Sequence, residues 1–232
     1  ANALAPILAA HDVLLDIPSF SSDGEPFVFF ADADNDELVA FDVEKEAVVG
    51  RVKVGRGPER ALVAPDGLVY VTNRFSRSVS VIDPAALTEV ARVAVGTEPI
   101  GLAAGADGKT VLVANSTAAS LSVIDTTSRS VVRTIAVPQD PTGVATTADG
   151  KAYVTHFRPG TVSVVDVEGG QVRSEVSLAL SVDETFGERR LPGLAPEVVV
   201  TPDGQAFVPH TQAKDEPLPT DVGENGGGSA YV

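Results

Sequence analysis

Cysteine is absent from all 232 residues. Its absence excludes a disulfide, a thiolate metal site, a cysteine nucleophile and thioether-linked haem within these residues. Aromatic residues make up only 5%, and acidic side chains outnumber basic ones 32 to 17, for a formal net charge of −15. Phosphate backbones and anionic membranes are held by basic surfaces, so nucleic acid is set aside as a partner. No apolar run reaches the roughly 18–20 residues of a membrane-crossing helix, so no membrane-spanning segment is expected. The opening "ANALAPILAA" is too short and uncharged for an intact secretion signal, and the first residue is not Met. A processed or excerpted chain, with a hint of export, is the expectation.

Short β-branched runs are plentiful, and they repeat. "VYVTNRFSRSVSVID" at 69–83 returns as "VLVANSTAASLSVID" at 111–125 and as "AYVTHFRPGTVSVVD" at 152–166. Asp42, Asp83, Asp125 and Asp166 close such runs at intervals of 41, 42 and 41 residues. Pro58, Pro99 and Pro141 follow at intervals of 41 and 42, each 16 residues after the preceding Asp. Independent markers with one period point to an internal structural repeat.

Each unit reads as four short strands, such as "ERALVAP", "LVYVTN", "SVSVID" and "EVARVAVG". Asp-Gly between the first two is a hairpin signal, with a turn that needs positive φ. The Asp ending "SVID" can accept turn N–H groups just beyond it. Gly55 and Gly96, ahead of Pro58 and Pro99, suit a bend into the next unit, where Pro stands outside the ladder. Both faces of the strands are apolar or small, so the sheets should pack between neighbours. A four-stranded unit of about 42 residues predicts an all-β fold, a β-propeller with four blades and part of a fifth.

These repeats, with "VGRGPERALVAPDG" before and "VARVAVGTEP" after, resemble the YVTN-type repeat of YncE-like β-propellers over about residues 12–210. The resemblance implies a seven-bladed whole and an extracytoplasmic location: periplasm, cell surface or medium. The entire chain, 1–232, is then one propeller domain, incomplete at its C-terminus. Blades bury their faces only against neighbours, so further blades or a protein partner should close the array.

The period breaks twice. From Asp166 to Pro196 is 30 residues instead of 16, and from His210 to Ala230 is 20 instead of the usual 6. The insertions, 179–194 and 211–229, belong to a blade-to-blade connection and a second-to-third-strand turn, which share one face of a propeller. Long loops on a rigid scaffold carry function more often than ordinary ones. The residue after the second strand is Asp32, Asn73, Asn115, His156 and His210 in successive units. One reading makes His156 and His210, with Asp183, Glu184 or Glu197, a ligand pocket or a divalent-metal site. The other gives both histidines the turn role of Asn73 and Asn115. Glu188, Arg189 and Arg190 could clamp an anion in the first insertion.

Other motifs are weak. "DADNDE" at 32–37 begins like a calcium loop but has Glu37 where Gly is needed. "GRGPER" at 55–60 lacks the third Gly of a dinucleotide fingerprint. Asn115-Ser116-Thr117 is a formal glycosylation sequon, better read as a polar turn. No nucleophile elbow or triad stands out, and "GGGS" at 226–229 reads as a linker. The favoured function is a non-catalytic binding or scaffold module that uses the inserted face to hold a protein or small ligand. The alternative is an enzyme or redox-associated propeller, since related propellers include lactonases and partners of quinone, haem or c-type cytochrome systems.

Overall fold

The computed structural model describes residues 27–158, 160–178, 181–183, 188–192, 195–201, 205–209 and 211–214. Blade 1 contributes β1 (Phe27–Asp32), β2 (Glu37–Asp42) and β3 (Ala47–Lys53), paired in that order. Blade 2 comprises β4 (Pro58–Val63), β5 (Val69–Asn73), β6 (Ser78–Asp83) and β7 (Thr88–Ala94). Blade 3 comprises β8 (Pro99–Ala104), β9 (Thr110–Asn115), β10 (Ser120–Asp125) and β11 (Ser130–Ala136). Blade 4 comprises β12 (Pro141–Thr146), β13 (Lys151–His156), β14 (Thr161–Asp166) and β15 (Gln171–Ser177). Blades 2–4 are antiparallel meanders paired in chain order. The inner strands β4, β8 and β12 lie side by side around the axis.

Burial on both faces of each sheet explains the missing polar alternation. Val69 and Val71 of β5 turn toward blade 1, with Leu38, Val52 and Ile82. Tyr70, between them, turns the other way and packs with Val111 and Val113 of blade 3. Leu112, Leu121 and Ile135 join Val154 and Val165 at the next seam. Full burial of one such side chain contributes about 1.5–3 kcal/mol, so each seam is held by a cluster rather than by one contact.

The turns follow the repeat. Asp42, Asp83, Asp125 and Asp166 each accept at least one N–H from the turn beyond, as the sequence predicts. The residue entering the fourth strand then takes a left-handed conformation: Glu46, Leu87, Arg129 and Gly170. At the Asp-Gly turns only the glycine has positive φ, as at Gly67, Gly108 and Gly150. Gly67 N–H donates to the Ala64 carbonyl, while Asp66 accepts Leu68 N–H and the Tyr70 hydroxyl. The aspartate therefore braces the hairpin through its side chain instead of adopting the strained backbone.

Gly55 and Gly96 of the blade-to-blade bends serve close approach rather than a left-handed backbone. Positive φ falls at Gly57, Glu98 and Asp140, directly before the prolines. Gly55 and Gly96 are needed for close approach: a Cβ would stand 2.7 Å from the side chains of Asn73 and Asn115 respectively.

Past blade 4 come β16 (Ser181–Asp183), β17 (Glu188–Pro192), β18 (Val199–Val200), β19 (Ala206–Phe207) and β20 (Gln212–Lys214). β18 pairs antiparallel with β19 and lies beside β12, where the first two strands of a fifth blade belong.

Candidate functional site

Second-to-third-strand turns and blade connections do share one face. Arg74 N–H donates to the Gly57 carbonyl, Ser116 N–H to Glu98 and Phe157 N–H to Asp140, so each turn is bonded to the connection entering its own blade. The two insertions pair with each other. β16 and β17 form a hairpin, and β20 adds to it with Arg190 opposite Lys214, Leu191 opposite Ala213 and Pro192 opposite Gln212. The hairpin comes from the long connection and β20 from the long turn, so two departures from the period become one three-stranded sheet.

Of the sequence-predicted residues, those described fall in the β16–β17 hairpin, at the end of β13 and at the start of the fifth unit. Asp183 lies opposite Glu188, and Arg189 opposite Val182, in the hairpin ladder. Glu184 and His210 lie outside the described residues, as does the "GGGS" segment.

His156 is fully buried at the end of β13. Its Nδ1 donates to the Gln139 carbonyl at 2.9 Å, because a carbonyl can only accept. Its Nε2 therefore accepts the Ser163 hydroxyl, 2.8 Å away. Burial holds its pKa below 6.5, which favours this neutral ring. Both nitrogens are already engaged, leaving no lone pair free for a metal.

Asn73 and Asn115 occupy the same seat. Asn73 Nδ2 donates to Ser80 Oγ at 2.9 Å, and its Oδ1 accepts Gly55 N–H at 3.0 Å. Asn115 Nδ2 donates to Ser122 Oγ at 2.9 Å. In blade 4 the position of Gly55 is held by Pro138, which has no N–H to offer. An asparagine oxygen would lose its donor there, whereas His156 brings a donor of its own. Asn115 is fully buried in this network, which fits the turn reading of its sequon.

Glu197, at the start of the fifth unit's inner strand, is buried and ion-paired with Arg60 of β4. Blades 3 and 4 stand between these residues around the ring, so the pair closes across the central axis. The "DADNDE" tip is an internally bonded hairpin, with Asp32 Oδ1 accepting Asn35 N–H at 3.1 Å. Among the described residues no three His, Asp or Glu side chains converge as a metal site.

Sequence reading missed a cleft of about 480 Å³ on the same face at blades 1–3, lined by Asp36, Arg56, Arg74, Phe75, Arg77 and Glu98. The available signal was in the turns: "NRFSR" carries two arginines and an aromatic where blade 3 has "NSTAA".

Radially packed, four-stranded antiparallel blades define the protein as a β-propeller. Residues 58–172 match the family described as YNCE-like beta-propeller. Among solved structures, a chain of Kuenenia stuttgartiensis hydrazine synthase is 28% identical, with a TM-score of 0.73 over 92% of this chain. A streptogramin B lyase structure is 14% identical, with a TM-score of 0.64 over 79% of this chain, and shares the fold alone. The chain spans 61% and 58% of their respective lengths. No curated protein matches it.

Proposed function

We propose that this propeller is an extracytoplasmic binding or scaffold module whose recognition surface is the sheet β16–β17–β20. The observation that supports it is the pairing of β17 with β20, which joins the two long departures from the repeat into one sheet. Two loops gain a mutual hydrogen-bonded ladder, so a surface is preorganised without altering the blades that carry it. Further blades or a protein partner close the array. Among the described residues no helix is long and apolar enough to cross a membrane.

The test replaces residues 181–192 with a short Gly-Ser turn and compares both proteins as bait, after crosslinking, in an extracytoplasmic fraction of the native cells. Loss of a specific, stoichiometric partner from the shortened protein supports the reading. Equal capture of that partner by both proteins, or recovery of the native protein only in the cytoplasm, overturns it.

The second reading, an enzyme or redox-associated propeller, draws its support from the 28% identity to a hydrazine synthase chain. Copurification with a chromophore-bearing partner, seen in an optical spectrum, would favour it.

A further inference from the structure

The cleft at blades 1–3 gathers basic side chains on an acidic chain. Three of its lining residues are arginines, Arg56, Arg74 and Arg77. Its two carboxylates are already engaged by the protein. Asp36 accepts Gly57 N–H at 2.8 Å, and Glu98 accepts the Thr117 hydroxyl and Arg74 Nε. Arg74 is neutralised by Glu98 and by Glu59 at 3.1 Å. Arg56 and Arg77 have no carboxylate partner among the described residues, so two positive charges face the cleft uncompensated.

Beside them stands Phe75, 61% exposed, with the Arg74 guanidinium 5.7 Å from its ring centre. An aromatic ring held open to solvent next to free guanidinium groups offers both an apolar wall and anion contacts. The cleft is also rigid. Arg74 N–H donates to Gly57 O at 2.8 Å, Phe75 N–H to Arg56 O at 3.1 Å and Arg56 N–H to Ser76 Oγ at 2.7 Å. These bonds clamp the 3-10 turn Arg74–Ser76 to the connection between blades 1 and 2, so little ordering is left for a ligand to impose.

We propose that this cleft binds a small organic oxyanion, a carboxylate or phosphate monoester with an aromatic or apolar body. Arg56 and Arg77 hold the anion, and Phe75 receives the body. The volume suits a metabolite-sized molecule. The net charge of −15 disfavours a polyanion, which would have to approach the surrounding acidic surface as well. This site is separate from the inserted sheet and does not depend on it.

Isothermal titration of the full chain with phthalate, phenyl phosphate, inorganic phosphate and benzyl alcohol tests the proposal. At least one organic anion should bind, and at least about tenfold more tightly than inorganic phosphate or the neutral alcohol. Tighter phthalate assigns a carboxylate ligand and tighter phenyl phosphate a phosphate ester. Arg56→Gln with Arg77→Gln should weaken binding by at least about tenfold, and Phe75→Ala should reduce the preference for the aromatic anion. All three side chains are exposed, so an unchanged melting temperature verifies that the variants fold. Absence of binding by both organic anions, undiminished affinity in the double variant, or inorganic phosphate binding as well as they do overturns the proposal.

Discussion

Glu197 of the fifth unit is ion-paired with Arg60 of the second, across the propeller axis. Arg60 stands third from Pro58, where blades 3 and 4 carry Gly101 and Gly143 after their prolines. A long side chain therefore enters the axis from one blade, at a position where two neighbours have none. Glu197 is nearly buried and Arg60 is 28% exposed, so the pair is partly screened. Glu197→Gln should cost about 1–3 kcal/mol, below the range for a fully buried pair. Urea unfolding of Glu197→Gln, Arg60→Gln and the double variant should show a coupling of at least about 1 kcal/mol. Additive losses would mean that the pair does not hold the fifth unit in place.

His156 and Pro138 form the second testable relationship. His156→Asn should destabilise the protein by about 1–3 kcal/mol, because the asparagine oxygen finds no N–H at Pro138. Adding Pro138→Gly restores the combination found at Gly55 and Asn73, and should recover at least about half of that loss. A double variant no more stable than His156→Asn would refute the exchange.

The same histidine gives a pH dependence with a fixed sign. Burial, the largest influence, lowers its pKa below 6.5, against the opposing pull of the Gln139 carbonyl and Glu175. The unfolded chain therefore binds the proton more readily than the folded one. The neutral ring's contribution is complete above about pH 6.5 and is lost as pH falls toward the depressed folded value, by at most about 1.4 kcal/mol per pH unit. Carboxylates such as Asp149, held at about 2, titrate below this window. Wild type should lose stability more steeply than His156→Gln between pH 7 and 5. Parallel curves in chemical denaturation would contradict the assignment.

Gly96→Ala tests close approach at a bend. The new Cβ would meet Asn115 Cγ at 2.7 Å, so the asparagine must leave a fully buried seat. A loss of about 1–3 kcal/mol is expected by thermal or urea unfolding. Asn115→Ala in the same background should relieve the clash, leaving the double variant less destabilised than the sum of the two single ones. Simple additivity would place the strain elsewhere.

The histidine and the arginines show where one-dimensional reading stopped. In sequence, His156 stands at the position of Asn73 and Asn115, and both a ligand role and a turn role were open. The bonds that His156 makes to the carbonyl of Gln139 and the hydroxyl of Ser163 are set by the blade's folded path. Arg56, Arg74 and Arg77 lie in a connection and a turn, each unremarkable alone. They become one cleft only when backbone bonds clamp those segments together.

The blade period, the strand order, the Asp-braced turns and the locations of both insertions were determined by sequence alone. They depend on local chemistry: β-branched runs, side-chain acceptors and proline or glycine at turns recur with the repeat wherever it occurs. The β17–β20 pairing, the Arg60–Glu197 contact and the filled valences of His156 were decided only by tertiary structure. Each joins groups whose separation is set by how the chain closes around an axis, and no periodicity along the chain encodes that distance.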